Sequence, residues 1–478
     1  VEVHADYDYR PCHYVWDCNI INAPTAGGEK VVRLAAVFAC FAAVVFAADP
    51  SYFRDVRPLL QRQCQGCHQP NLKSSGLDLT SYEGFTAGGR RGPASGLIVK
   101  YLTGEMKPQM PLGQAALEAA DIDLVRKWIA AGAKDDTPAE AVDKAIKYTL
   151  PPVITALAFS PDGKSLAVSG NREVLIHPLE GGAAPQRLAG LSDRILSLAF
   201  SADGKMLVAG GGTAARFGEV QIWELPAGRL KRSVTLTGDT VFGVSLSTDG
   251  SRVAAGCTDN TVRIVETATG KQLHSMGAHE NWVLGTVFGA DGKRVVSVGR
   301  DRAAKLTDVA TGGFLENVNL LRGELAAIAR HPSKEIVVIG GEERVPYIYL
   351  MDRPKVMKIA DDTTLVRKLD RQNGAIAALA WSPDGRRIVV GGAAPEVNIY
   401  DAESGAHVAA CMGHAAGIYT VAFSPDSAVV AAGGFDGMVR LYDAATGAMK
   451  REFVPVPLEQ GPGVGGQGPA GAAVGGKR

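Results

Sequence analysis

The chain runs to 478 residues, with 50 Lys plus Arg against 50 Asp plus Glu, so its formal net charge is zero. That balance argues against a nucleic-acid binder held by a bulk positive field, and 46% hydrophobic with 21% charged residues excludes wholesale disorder. With 57 glycines, 6% aromatics and seven scattered cysteines, the chain suits tight turns and small-residue strands better than long helices or a disulfide scaffold.

The amino end reads as processing signal rather than fold. Residues 1–30 contain Asp6, Asp8 and Asp17 and begin with Val1, unlike the basic start of a leader, so they are expected to lie upstream of a true start near Val31 or Val32. Cys12 and Cys18 then have no role. Leu34 to Ala48 is a 15-residue apolar run that comes after Lys30 and Arg33 and precedes Asp49-Pro50. It is short for a membrane span, and its basic flank and small residues predict a signal peptide over 31–48. Such a leader implies export to the periplasm or cell envelope. The alternatives are an uncleaved anchor, with Arg33 on the cytoplasmic side, and a lipoprotein through Cys40, which the apolar run beyond that cysteine disfavours.

Residues 49–134 form the first predicted domain. Asp49-Pro50 is expected to cap a helix carrying Phe53, Val56, Leu59 and Leu60, with Pro58 kinking or restarting it. The helix leads into Cys64-Gln65-Gly66-Cys67-His68. Two thiols three positions apart on one turn can each add to a haem vinyl group, and the adjacent histidine can then bind the iron; this is the attachment pattern for one covalent haem c. A disulfide leaves His68 unexplained. Zinc needs two more ligands, and the next histidine and cysteine are His177 and Cys257. A sixth iron ligand should be a soft or imidazole donor. With no other histidine between Val31 and Leu150, the candidates are Met110, held between Gln109 and Pro111, and Met106 as fallback. A second helix is predicted from about 117 to 131 through Ile122, Val125 and Ile129, with Leu124 and Trp128 on the adjoining face and Gly132 as its stop. Trp128 is expected in the core.

FRDVRPLLQRQCQGCH, GLDLTSYEGF, PASGLIVKYLTG, KPQMP and DIDLVRKWIAAGA succeed one another in one order, and with them residues 50 to 134 resemble the planctomycete-type cytochrome c domain. The resemblance implies a small all-α domain with one haem attached through Cys64 and Cys67, His68 as proximal iron ligand and Met110 as distal ligand. Relatives often carry Met-Pro-Pro, where this chain has Met110-Pro111-Leu112.

Residues 135–150 are a predicted linker, whose AEAVDKAIKY forms a short helix or supplies an outer strand that latches the repeats beyond it. From Val153 one phrase recurs seven times, beginning ITALAFSPDGKSLAVSG and ending IYTVAFSPDSAVVAAGG. Its turn positions Asp162, Asp203, Asp249, Asp291, Lys334, Asp384 and Asp426 are spaced by 41, 46, 42, 43, 50 and 42 residues. Alternating apolar residues around Asp-Gly predict hairpins with type I′ turns, and a further strand such as EVQIWE or MVRLYD comes after each. Four strands per unit at this period is the propeller signature, and seven units can close a ring over 151–458. The array resembles the WD-repeat family, with the Trp-Asp slots eroded to Trp223-Glu224, Val265-Glu266, Thr307-Asp308, Tyr400-Asp401 and Tyr442-Asp443. The resemblance pairs His279 with Asp301 and His414 with Asp436, as structural hydrogen-bond networks. Insertions stand at GGTAARFGE in the second unit and near RVPYIYLMDRPKVMKIADD in the fifth. The tail 459–478 is Gly/Pro-rich and expected to be disordered.

The fold class expected is therefore a small all-α cytochrome c domain followed by an all-β seven-bladed propeller. The function expected is electron transfer at the cell envelope, with the propeller as docking platform for a redox partner protein. Lys73, Arg90, Arg91, Lys100, Lys107 and Lys127 are candidates for a face that steers an acidic partner. No catalytic residues are expected. The alternatives are an oxidoreductase whose propeller holds a second cofactor or substrate, and a scaffold with structural or sensory haem. The array histidines His177, His274, His279, His331, His407 and His414 show no metal-ligand spacing, which disfavours the first.

Overall fold

In the structure, a computed structural model, residues 49–69, 72–113, 115–137, 146–277, 279–351 and 362–459 are described. The expected signal segment, residues 1–30, most of AEAVDKAIKY, part of the fifth-unit insertion and the tail beyond Glu459 lie outside them. No helix among the described residues is long and apolar enough to cross a membrane.

Among the described residues, the first region has four α-helices, α1 (Arg57–Gln63), α2 (Tyr82–Ala87), α3 (Ala94–Leu102) and α4 (Ala119–Ala130). It is not purely helical, because Leu72–Lys73 pairs antiparallel with His68–Gln69. The N-terminal cap is Ser51 rather than Asp49-Pro50. Its Oγ accepts from the Arg54 N–H at 2.9 Å while the Asp55 carboxylate accepts from the Ser51 N–H at 2.8 Å. This reciprocal pair satisfies orphan donors that Asp49 does not reach. A wide first turn comes next, in which Val56 N–H reaches back to the Ser51 carbonyl. Pro58 restarts the helix, since in the first turn of α1 its missing N–H costs nothing. Serines and glycines punctuate the rest: Ser81 caps α2, and Gly132 leaves α4 at φ 95.

These helices bury one core of Val56, Leu59, Leu60, Phe85, Leu102 and Val125 around Trp128. Trp128 stacks on Tyr52 at 5.3 Å and tilts against Phe85 at 4.9 Å. Tyr52, not Phe53, is the aromatic that α1's lead-in buries.

Among the described residues, the remaining strands divide into seven four-stranded units. Five are separate sheets, beginning at Val241–Leu246, Val283–Phe288, Leu325–Arg330, Ile376–Trp381 and Ile418–Phe423. The first two units share the 15-residue strand Gln186–Phe200, whose first half pairs with Asn171–Pro178 and second half with Met206–Thr213. The innermost strands neighbour one another in cyclic order, and the last returns to the first, where Leu157 N–H donates to Thr420 Oγ1 at 3.1 Å. Closure removes open edges at the centre. The described end of the linker pairs with the chain's far end through a parallel bridge, Tyr148 to Leu458. In each of units three to seven, a register shift falls after the first residue of the inner strand, which increases its twist.

The hairpin turns differ from expectation. Gly163 has φ 70 but Asp162 does not take positive φ, so the turn is not type I′. Gly163 N–H instead closes on the Ser160 carbonyl at 2.9 Å. The Asp162 carboxylate accepts from Ser160 Oγ at 2.6 Å and from the Lys164 N–H at 3.0 Å. The carboxylate locks a turn in which glycine alone occupies the left-handed region, and Ser201-Asp203 and Ser382-Asp384 repeat the lock.

The two histidine pairs diverge. His279 Nδ1 lies 2.9 Å from Asp301 Oδ1, and its Nε2 lies 2.7 Å from Ser297 Oγ. In the other, His414 Nδ1 lies 3.5 Å from Asp436 Oδ2 and Arg440 bridges the two, 2.9 Å from His414 Nδ1 and 2.6 Å from Asp436 Oδ2. A guanidinium can only donate, so His414 accepts at Nδ1 and is neutral; burial, then the Arg440 charge, lowers its pKa.

Burial by itself would raise the Asp301 carboxyl, but the His279 hydrogen bond and charge, the Glu280 N–H and Lys305 outweigh it and hold it at about 2. A depressed carboxylate stabilises the fold fully above its unfolded pKa and loses that contribution as pH falls through the folded one. Between about pH 4 and about pH 2, wild type should lose on the order of 2 kcal/mol relative to Asp301→Asn in denaturant melts. Parallel pH profiles of the two proteins would contradict this.

Candidate functional site

A cavity of about 300 Å³ lies between the helical region and the second four-stranded unit, within one compact unit of the chain. The segment after α1 turns tightly, with Cys67 and His68 N–H groups both on the Cys64 carbonyl, at 3.2 and 3.1 Å. This turn brings Cys64, Cys67 and His68 to one side of the cavity. Leu77, Leu79, Ile98 and Leu102 supply apolar walls, and Met110 lines the same space. Met110 is placed by its N–H, which donates to the Tyr101 carbonyl at the end of α3 at 3.0 Å. Met106 is half-buried and lies outside the lining, because its N–H turns back to Lys100.

His68 Nδ1 is 3.1 Å from the Ser74 carbonyl oxygen. A carbonyl only accepts, so the ring proton sits on Nδ1 and the Nε2 lone pair is left available to a metal. Burial lowers the His68 pKa, against carbonyls of Ser74 and Leu77 and the Asp78 charge. The neutral, ligating form is therefore favoured at neutral pH.

Cys64 and Cys67 are free thiols. Burial, with a smaller contribution from Cys67, pushes the Cys64 thiol up to about 12. Cys67 is also raised by desolvation, against the Arg232 charge. Thiols held protonated do not suit exchange chemistry, which needs a thiolate near neutral pH.

Of the candidate steering cations whose side chains are described, Arg91 alone lines the cavity. Its Nη1 donates to Tyr101 Oη at 2.6 Å. Lys127 pairs with Asp123 at 2.8 Å and Lys100 approaches Glu105 at 3.9 Å, so neither is an uncommitted charge. Arg90 and Lys107 are exposed, and the Lys73 side chain is outside the described residues. Two lining residues had no sequence signal: Ser233 and Thr235 come from the outer strand of the second unit, about 170 residues beyond the motif.

Comparison with known proteins bears on the repeats. The family described as WD domain, G-beta repeat matches residues 230–266, 270–308 and 405–443. The Anaphase-promoting complex subunit 4 WD40 domain matches residues 329–421. An uncharacterized WD repeat-containing protein of Schizosaccharomyces pombe is 33% identical over 81 residues, 16% of this chain and 12% of that protein. The chain thus spans a small part of that relative's length, and residues 49–134 lie outside the family matches. Residues 230–443 carry WD repeats, and this part of the chain is a propeller-like fold of the kind that commonly mediates protein–protein interaction.

Proposed function

We propose that the protein is a c-type haem-binding electron-transfer protein of the cell envelope, with its WD-repeat propeller as docking platform for a redox partner. The observation that carries this reading is the convergence of Cys64, Cys67, His68 and Met110 on one apolar cavity. The residues fit the group. Two thiols lie on one turn, an imidazole has its Nδ1 proton tied to a carbonyl, and a thioether is held by a separate loop. Haem c would supply reversible one-electron chemistry. Cys64 and Cys67 would hold it covalently, His68 and Met110 would bind the metal, and the apolar walls would exclude water. Export through residues 31–48 belongs to this proposal, because haem attachment requires reduced thiols outside the cytoplasm.

The raised thiols favour this over a dithiol redox site. The test is to express the exported protein in cells competent for cytochrome maturation and to count cofactors by denatured-haem absorbance. One covalent haem and no second chromophore supports electron transfer; a second chromophore with turnover would replace it by the enzyme reading. Met110→Ala should abolish the weak thioether–iron band at the red end of the oxidised spectrum, whereas Met106→Ala should keep it. The reverse outcome would reassign the ligand to Met106.

A further inference from the structure

The second unit departs from the other repeats. Its strands Met206–Thr213 and Phe217–Glu224 have eight residues each and its outer strand Arg229–Thr237 has nine. Outer strands of units three to seven have four or five. The GGTAARFGE insertion extends the middle hairpin to a last pair at Thr213 and Phe217, and the outer strand follows it to Thr237 opposite Gly218. A long outer strand presents unpaired N–H and C=O groups, an edge that folded proteins usually cover.

Here the cover is the helical region. The strand Leu72–Lys73 lies beside Arg229–Thr237. The CQGCH turn meets the same strand so closely that a Cβ added to Gly66 would sit 2.7 Å from the Ser233 carbonyl oxygen. Gly66 is not among the residues with positive φ, so the contact rather than the backbone demands a glycine there. From behind, Ser233 is anchored by Glu219, which is 1% exposed and itself part of the insertion. The Glu219 carboxylate accepts from Ser233 Oγ. It also accepts from Ser192 Oγ and Gln221 Nε2, both at 2.7 Å. Three donors on one buried carboxylate fix the height of the extended hairpin.

We infer that the insertion in the second unit builds an intramolecular docking ledge, which seats the helical region through Gly66 and Ser233 and closes the cavity wall beside the CQGCH turn with Ser233 and Thr235. Glu219 is a positioning residue for that wall. The docking rests on contacts of this chain alone; its effect on a bound haem rests on the function proposed above. There, a wall that excludes water disfavours the more charged oxidised state and raises the reduction potential.

Two variants of the full chain test this. Gly66→Val wedges the seat from the helical side and leaves the propeller intact. Its amides from Leu230 to Thr237 should exchange with solvent at least about tenfold faster than in wild type, while those of the other outer strands are unchanged. Unchanged exchange at that strand would overturn the ledge. Glu219→Ala loosens the wall from the propeller side, and in haem-loaded protein it should lower the midpoint potential; an unchanged potential would overturn the positioning role. Should the wild-type protein take up no haem, the proposed function fails, and the exchange comparison still decides whether the ledge exists.

Discussion

The Cys64→Ser, Cys67→Ser double variant should be secreted without covalent haem, while wild type retains one haem through acid–acetone extraction. The expected effect is all or none, because each thioether depends on one sulfur and, among the described residues, no other cysteine lines the cavity. The remaining described cysteines, Cys257 and Cys411, are buried in the propeller. A His68→Ala variant separates attachment from ligation: both sulfurs remain, but the imidazole positioned by the Ser74 carbonyl is gone. It should show a changed spin state without loss of the covalent bond. If wild type and the double variant emerge equally colourless from cells that mature other cytochromes, the electron-transfer reading is wrong. The chain would then be a WD-repeat scaffold with an apolar cavity of another use.

Trp128→Ala should be the most damaging single change in the helical region. Trp128 is 1% exposed, packs against Tyr52 and Phe85, and donates its Nε1–H to the Lys134 carbonyl at 3.0 Å. Removing a buried indole forfeits transfer energy and leaves a cavity, together about 3–5 kcal/mol. Whole domains are stable by only about 5–15 kcal/mol, so a small helical region has little to spare. Denaturant melts followed by far-UV circular dichroism should show helical signal lost at lower denaturant while the strand signal keeps its midpoint. Trp128 does not line the cavity, so reduced haem loading in this variant would come from lost fold rather than from a missing contact. A loss under about 1 kcal/mol would show that the core closes over the gap, contrary to the close ring packing around Trp128.

Local chemistry was the most legible. The CQGCH turn, the approach helix and the recurring Ser-x-Asp-Gly phrase are all encoded within a few residues, and periodicity exposes them. The approach helix shows its period because the helical turn Tyr52–Val56 lengthens α1, whereas α2 and α3 stop at six and nine residues. The turn type differs from expectation because Asp-Gly permits two geometries. The Ser160 hydroxyl, two residues before Asp162, selects the one with a single left-handed residue. His414 matches Asp436 by position in the repeat. The guanidinium between them comes from Arg440 on the third strand of its own unit, and nothing in the spacing announces it.

By itself the sequence determined the units of this protein: a thiol–thiol–imidazole turn, an apolar helical wrapper, and repeated four-stranded modules whose alternation can bury only one kind of face. Those are short-range properties, set by backbone preference and side-chain period. Only the tertiary structure decided that Met110 rather than Met106 reaches the cavity, since the main-chain hydrogen bond to Tyr101 directs one methionine inward. It also decided that an outer strand about 170 residues beyond the motif supplies Ser233 and Thr235 to the same cavity. Such placements depend on which surfaces meet when the chain closes, and that is a matter of packing between segments that share no local pattern.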